Sequence, residues 1–194
     1  MLDFQLQSAI IITVRGTPQK KRKRRMTMEL NIRINFDMDG TIVDLYGNPN
    51  WLALLEAEDP SVYANAEPLL RLSSLAKRIN HLQKMGYEIG IISWTSKTGS
   101  DAYNEAVTEA KMRWLAQHLP SVEWDVINIV PYGTPKQVFC NSPLDILFDD
   151  EVKNRDNWTG RAYGVEDILG TLETIRRRHW SDMIHSLLLT MEGE

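Results

Sequence analysis

Residues 32–44 carry the strongest fold signal in this chain, and they read Ile32-Arg33-Ile34-Asn35-Phe36-Asp37-Met38-Asp39-Gly40-Thr41-Ile42-Val43-Asp44. The apolar residues at every second position of the first half are typical of a β-strand. The strand stops at two aspartates and a glycine, and the glycine supplies the backbone freedom for a turn. Two carboxylates so close together repel each other unless a cation or a shared proton relieves them. The stretch therefore predicts a metal-assisted or acid–base site at residues 37–41.

Beyond this stretch, strand patterns alternate with helix patterns. The predicted strands are 30–37, 87–93, 126–130, 145–148 and 161–165. The predicted helices are 51–55, one from Leu72 that ends at Gly86, one that starts at Ser100 or Asp101, a short one at 136–139, 166–178 and 180–191. Such alternation predicts an α/β fold, with a three-layer, Rossmann-like parallel sheet and helices on both of its faces.

Polar side chains fall where the predicted strands end. Asp37 follows the first strand, Ser93 ends the second, and Asp149 and Asp150 follow the fourth. Ligands of open parallel sheets bind outside the carboxyl ends of the strands. We therefore expect these side chains to gather into one site, with Thr95 as a rival to Ser93.

The residue types suit phosphoryl transfer. A carboxylate such as Asp37 can attack phosphorus and form an aspartyl-phosphate, while Asp39 can serve as acid and then as base. Magnesium prefers oxygen ligands and is usually held by one or two carboxylates and the phosphate. Lys136 could neutralise the transferring group, and Lys97 and Lys153 are alternatives for that role.

This ordered set of residues resembles the four motifs of the haloacid dehalogenase (HAD) superfamily over roughly residues 30–170. The resemblance implies that Asp37 is the nucleophile and a magnesium ligand. It implies that Asp39 is the acid–base residue and binds the metal through its backbone carbonyl. The candidate phosphate-binding residues are Ser93, Thr95, Lys136 and Trp94.

The same resemblance assigns Asp149 and Asp150, called the acidic pair below, to the metal site. Asp150 is expected to be the direct magnesium ligand, and Asp149 to orient water or Lys136. Asn154 could contact a metal-bound water or simply face solvent. An aspartate two places after Asp37 matches the phosphatases of the superfamily and not its dehalogenases.

Residues 42–68 leave room only for a flap or minimal cap, so an open site is expected. Within the superfamily the pattern is most similar to 5′(3′)-deoxyribonucleotidase-type and phage or bacterial nucleotidase-like proteins. Aromatic residues near the site could stack on a nucleobase or pack the flap onto the body. These residues are Tyr46, Trp51, Trp94 and Tyr103.

The charge is unevenly distributed along the chain. Of 22 basic residues seven lie in residues 1–25, against one of 26 acidic residues, so the remainder holds 15 basic and 25 acidic residues. An acidic body disfavours general nucleic-acid binding, whereas six consecutive basic residues at 20–25 allow it through the leader. One cysteine and no apolar run of membrane length predict a cytoplasmic protein without membrane contact.

The expected organisation is a basic leader at 1–28, a HAD-like hydrolase domain at 29–178 and a C-terminal helix at 179–194. The oligomeric state stays open. Three functions are compatible with the sequence. The first is a magnesium-dependent hydrolase of small phosphorylated metabolites such as nucleotides. The others are a nucleic-acid-end phosphatase and a non-catalytic interaction module that keeps the fold.

Overall fold

The computed structural model describes the backbone of residues 32–191 and the side chains of residues 32–179. The predicted basic leader and the side chains of the last predicted segment lie outside the described residues. The strands are β1 (Arg33–Phe36), β2 (Val43–Asp44), β3 (Glu67–Pro68), β4 (Glu88–Trp94), β5 (Val126–Val130), β6 (Ile146–Phe148) and β7 (Arg161–Tyr163). The helices are α1 (Trp51–Glu56), α2 (Ser61–Ala64), α3 (Leu72–Lys84), α4 (Asp101–His118), α5 (Val152–Asn157) and α6 (Ile168–Met191), and a short 3₁₀-helix covers Lys136–Phe139.

Five of the strands form one parallel sheet in the order β5-β4-β1-β6-β7. β1 lies between β4 and β6, and its Ile34, Asn35 and Phe36 are buried there. Its register pairs Phe36 with Ile91 of β4 and with Phe148 of β6. The carboxyl ends of the three central strands therefore meet at one edge, and the predicted α/β parallel-sheet fold is confirmed.

The two faces of the sheet carry different cores. One face holds the main cluster, in which Phe36 and Phe148 stack with ring centroids 5.1 Å apart and pack with apolar residues of α3, α4 and α6. The opposite face holds a smaller cluster in which Ile92 and Leu147 meet Trp158. Apolar residues at successive positions of β4 and β6 thus bury both faces of the central strands.

Residues 42–68, called the flap below, fold over α4. β2 and β3 form an antiparallel ribbon, and α1 and α2 lie between them in the chain. The cluster that joins the flap to α4 comprises Leu45, Val62 and Tyr63 on one side and Tyr103, Val107 and Ala110 on the other. The Trp114 indole also donates to the Ala66 carbonyl at 2.8 Å. As a result α4 has one side on the sheet and one side under the flap.

The end of the described chain differs from the sequence-based expectation. Residues 166–178 and 180–191 are predicted as two helices, whereas α6 runs without a break from Ile168 to Met191. No proline or glycine separates the two segments, and Arg176, Arg177 and Arg178 are good helix formers, so nothing ends the helix there. In the part of the chain that the structure describes, no helix has the length and apolar character needed to cross a membrane.

Candidate active site

The turn after β1 is held by its own backbone. The Met38 carbonyl accepts hydrogen bonds from the N–H groups of Ile42 and Val43 at 3.0 and 2.9 Å. Gly40 has φ of +74°, and a Cβ there would come within 2.7 Å of Asp150 Cγ. Glycine is therefore required both by the left-handed backbone and by the close approach of the Asp150 carboxylate.

Asp37 lies at the carboxyl end of β1, beside a buried lysine. Its N–H donates to the Phe148 carbonyl at 2.9 Å, which fixes it against β6. Lys136 Nζ lies 2.9 Å from Asp37 Oδ1 and 2.7 Å from Asp149 Oδ2. Burial by itself lowers the pKa of Lys136, but the charges of Asp37 and Asp149 outweigh it and raise that pKa above its usual value. The lysine thus forms ion pairs with two carboxylates.

A third carboxylate, that of Asp150, joins the two that contact this lysine. Asp37, Asp149 and Asp150 each offer one oxygen, and these oxygens all lie within 4.8 Å of one another. Burial, together with the negative charges of Asp37 and Asp149, raises the pKa of Asp150 to about 6. Such crowding leaves negative charge that Lys136 alone does not balance. The donor set, oxygen ligands in a buried and electron-rich pocket, fits a hard divalent cation such as Mg²⁺.

The two members of the acidic pair differ in how they are held. Asp149 accepts from Lys136, from Asn154 Nδ2 at 3.1 and 3.2 Å and from the Glu151 N–H at 2.9 Å. Asp150 has a longer contact, 3.4 Å, from Thr41 Oγ1 to its Oδ1. Asp149 is thus immobilised by its neighbours, whereas Asp150 keeps acceptor capacity for another ligand. The buried Asn154 lies against Asp149.

Asp39, two residues after Asp37, faces a different lysine. Lys111 Nζ of α4 lies 2.5 Å from Asp39 Oδ2 and donates to Ser93 Oγ at 2.8 Å and to the Trp94 carbonyl at 2.7 Å. Burial raises the pKa of Asp39 above its usual value, and the Lys111 ammonium opposes that rise in part. The turn therefore directs its two carboxylates to two separate buried lysines.

The residues predicted around Ser93 divide into three environments. Ser93 is fully buried and contacts Lys111, which brings it near Asp39. Thr95 is held through its backbone, with its N–H on the Val130 carbonyl at 2.8 Å. The Trp94 indole donates to the Thr134 carbonyl at 2.9 Å, and its ring lies 4.8 Å from Lys136 Nζ. The Trp94 ring thus packs against Lys136, the lysine that contacts Asp37.

The two alternative lysines, Lys97 and Lys153, are both exposed, whereas Lys136 is buried. Lys97 is exposed and lies over the Tyr132 ring at 5.5 Å, and Lys153 is exposed on α5.

Among the aromatic candidates, Tyr46 is 52% exposed and its ring packs edge-on against Trp51 with centroids 5.2 Å apart. Tyr103 is buried between α4 and the flap. Tyr46 is thus the candidate whose ring is open to a ligand.

Lys111 is the residue that reading the sequence missed. It sits four residues after Val107 and three before Trp114, both on the buried side of α4. A lysine in that apolar stripe is the available signal, because lysines are rarely fully buried without a partner. Its partner Asp39 lies 72 residues away in the chain, so the sequence pattern alone does not identify the pair.

Neither a scan against family models nor a search of curated proteins finds a match. A HAD-like phosphatase from Mesorhizobium loti has a TM-score of 0.46 at 15% identity, over 69% of this chain and 71% of the other. A D,D-heptose 1.7-bisphosphate phosphatase from B. bronchiseptica, solved with magnesium and phosphate, has a TM-score of 0.46 at 14% identity, over 76% of this chain and 99% of the other.

A chain of the Pnkp1/Rnl/Hen1 complex has a TM-score of 0.45 at 18% identity, and the match covers 84% of this chain and 57% of that one. With TM-scores below 0.5, none of these likenesses assigns a function. The function proposed below therefore rests on the residues of this chain.

Proposed function

We propose that this chain is a magnesium-dependent phosphomonoester hydrolase of the HAD type that works through an aspartyl-phosphate on Asp37. One observation carries the proposal. Asp37 lies within 4.8 Å of the ligand oxygens of Asp149 and Asp150 and shares a buried lysine with Asp149, while Asp39 is held apart by a lysine of its own. This arrangement separates a nucleophile in a metal site from an acid–base residue on the same turn.

In this proposal Asp37 and Asp150 bind the metal directly, with the backbone carbonyl of Asp39 as the ligand that the sequence resemblance adds. Asp149 is not assigned as a direct ligand, because its carboxylate already accepts hydrogen bonds from Lys136, Asn154 and the Glu151 N–H. Its role in the proposal is to hold Lys136 in place. A bound magnesium ion would neutralise phosphate oxygens and so permit the approach of an anionic nucleophile.

The first step transfers the phosphoryl group to the protein. A carboxylate oxygen of Asp37 attacks phosphorus, and the bond from phosphorus to the ester oxygen breaks. The Asp39 carboxyl gives its proton to the departing oxygen, a role that suits a carboxyl whose pKa is raised by burial. Lys136, a buried cation 2.9 Å from Asp37, balances charge on the transferring group.

The second step releases phosphate. The Asp39 carboxylate takes a proton from a water molecule, whose oxygen attacks phosphorus, and the bond to Asp37 breaks. Inorganic phosphate leaves, and both carboxyl groups return to their starting states. The Ser93 hydroxyl, fully buried at the end of β4, is available to donate to a phosphate oxygen.

We propose a small phosphorylated metabolite such as a nucleotide as the substrate. The Tyr46 ring supports this choice because it is half-exposed beside the site. Burial, and then the charges of Asp39, Asp150 and Asp37, raise the pKa of the Tyr46 hydroxyl. A planar base could stack on such a ring. The cytoplasmic location expected from the sequence stays a prediction.

A panel of phosphate esters tests the proposal. It contains 4-nitrophenyl phosphate, sugar phosphates, nucleoside monophosphates and a 5′-phosphorylated oligonucleotide, each assayed with magnesium and with EDTA. Magnesium-dependent phosphate release is expected, and Asp37→Asn should abolish it. The control is Asp156→Asn, an exposed aspartate of α5, which should leave the rate unchanged. No turnover of any ester by the folded protein would favour the non-catalytic interpretation, and a preference for the oligonucleotide would favour the nucleic-acid-end one.

A further inference from the structure

Lys111 is a buried cation that the two steps above do not use. Its side chain is 1% exposed, and its three N–H groups have three acceptors, Asp39 Oδ2, Ser93 Oγ and the Trp94 carbonyl, all within 2.8 Å. A lysine ammonium has three donors and no acceptor. Every hydrogen-bonding group of Lys111 is therefore spent on residues of the candidate active site.

Packing does not require a charge at this position. Val107 and Trp114 flank Lys111 on the buried side of α4, and an apolar residue there would avoid the desolvation of an ammonium group. Replacing a buried ion pair by well-packed apolar residues is often neutral or stabilising. The lysine is thus better explained by what it holds than by the stability it adds.

The contact with Asp39 restricts that carboxylate. Lys111 binds Oδ2 and leaves Oδ1 as the oxygen that can exchange a proton with substrate or water. Asp37 and Asp149 share a different cation, Lys136, so the two aspartates of the turn contact separate lysines. A carboxylate held by one oxygen presents the other in a fixed direction, which is what proton transfer to a leaving group needs.

The contact with Ser93 has a directional consequence. Because Lys111 donates to Ser93 Oγ at 2.8 Å, the serine oxygen acts as an acceptor there. A hydroxyl that accepts from a cation keeps its own proton free to donate elsewhere. Lys111 therefore sets Ser93 as a donor and Asp39 as a proton-exchanging group at the same time.

The flap covers this arrangement. The Tyr63 ring of α2 lies 4.9 Å from Lys111 Nζ, and Tyr63 is itself buried. An ammonium over an aromatic face is stabilised by the ring, more strongly where water is excluded. The flap thus contributes one aromatic ring to the environment of the Lys111 ammonium.

We infer that Lys111 is a positioning residue of the proposed hydrolase, which orients Asp39 for proton transfer to the leaving oxygen and Ser93 for donation to the phosphoryl group. This role rests on the proposed function. It adds a fixed cation from α4 to the residues that the sequence motifs identify.

The leaving group of the substrate tests the role. A nitrophenolate departs without a proton, whereas an alkoxide needs one. In the first step, phosphoryl transfer to Asp37, which kcat/KM reports, only alkyl phosphates should therefore depend strongly on Asp39. Lys111→Met should therefore lose roughly 100-fold more kcat/KM on an alkyl phosphate than on 4-nitrophenyl phosphate. Asp39→Asn should show the same selectivity, and adding Lys111→Met to it should change the ratio little, because the two residues act as a unit.

Two further variants protect the test from a folding defect. Arg113→Met alters an exposed residue of the same helix and should leave both rates at the wild-type values. Lys111→Arg keeps the positive charge but moves the donors, so it should also lose activity selectively on the alkyl phosphate. Equal losses on both esters in the two Lys111 variants, or no loss, would overturn the positioning of Asp39 by Lys111, and with it the inference, while the proposed function would stand. Absence of turnover in the wild-type protein would instead overturn the proposed function, and this role with it.

Discussion

The two aspartates of the turn after β1 lie two residues apart but in contrasting surroundings. On the Asp37 side, Asp37 and Asp149 share one buried ammonium group, that of Lys136, and an Asp150 oxygen lies within 4.8 Å of an oxygen of each. On the Asp39 side, one carboxylate faces one buried ammonium group, that of Lys111. The first group, called the acidic cluster below, carries excess negative charge, whereas the second is a balanced pair.

This difference shows how one short turn can support two kinds of chemistry. Excess negative charge at the acidic cluster favours a divalent cation and an ionised nucleophile. A balanced pair needs no further ion and leaves its carboxylate free to exchange a proton. The contrast also predicts different results for the two sides. Substitutions in the acidic cluster should change the effect of magnesium on stability and activity, whereas substitution of Lys111 should not.

Replacing Lys136 by methionine should have the largest effect on stability. It leaves Asp37 and Asp149 without their shared cation, and removal of one partner from a buried ion pair costs roughly 3–5 kcal/mol. Magnesium should restore a large part of this loss, because it returns positive charge to the acidic cluster. Urea unfolding with and without magnesium chloride measures both effects.

Lys111→Met is the matched comparison for that experiment, since it removes the other buried lysine. It leaves only one carboxylate unpaired, that of Asp39, which is 17% exposed, so the free energy of unfolding should fall by less, roughly 1–3 kcal/mol, and magnesium should restore none of it. If magnesium rescued both variants equally, the distinction between the acidic cluster and the balanced pair would be wrong.

Asp150→Asn should impair the acidic cluster without removing its lysine. We expect kcat/KM to fall by roughly 100-fold or more, since even groups that only support metal ligands contribute about 10- to 100-fold. The rise in Tm that magnesium gives the wild-type protein should shrink, because ligand binding to the folded state is weakened. Asp156→Asn serves as the control. If magnesium raised the Tm of Asp150→Asn as much as that of the wild-type protein, the cation would have to bind to residues other than Asp150.

Asn154→Ala should have a smaller effect on the same side. Asn154 Nδ2 contacts both oxygens of Asp149, so its loss frees that carboxylate to move. We expect the magnesium concentration for half-maximal activity to rise by roughly 10-fold. Asn157→Ala is the control, because Asn157 is exposed on the same helix and donates to the Lys153 carbonyl at 2.7 Å. The same magnesium dependence in both variants would exclude Asn154 from metal support.

Much of this account was available from the sequence because the signals are local. Strand periodicity and strand-end polar residues predict the parallel sheet and the edge at which Asp37, Ser93 and Asp149 gather. The Asp39–Lys111 pair was not predictable in this way, because its two residues lie far apart in the chain and are joined only by the packing of α4 beneath the flap. The flap ribbon is also hard to predict, since β2 and β3 contain two residues each.

Ser100→Ala should have the smallest effect, on the helix that carries Lys111. Ser100 Oγ accepts from the Tyr103 N–H at 3.2 Å, and losing such a cap costs about 1 kcal/mol. Ser100 also donates to Glu58 through its hydroxyl and its N–H, and these bonds lower the pKa of Glu58. That stabilisation is present above the unfolded-state pKa of Glu58 and is lost as the pH falls through its lowered folded-state pKa.

Urea unfolding over a series of acidic pH values checks this last prediction. The wild-type protein should lose more stability through the titration of Glu58 than Ser100→Ala does, since the variant keeps only the backbone hydrogen bond. Hydrolysis rates at neutral pH should stay close to wild type. Identical acid dependence in the two proteins would remove Glu58 from the stability of this helix start.

The central claim is that Asp37 carries the phosphoryl group, and trapping it tests that claim most directly. Asp39→Asn should transfer a phosphoryl group from 4-nitrophenyl phosphate but release it slowly, because the second step lacks its base. Acid quenching followed by mass spectrometry should find the mass of one phosphoryl group on the peptide that contains Asp37, and none in Asp37→Asn. Turnover without any phosphorylated peptide, or phosphorylation of another residue, would contradict the account.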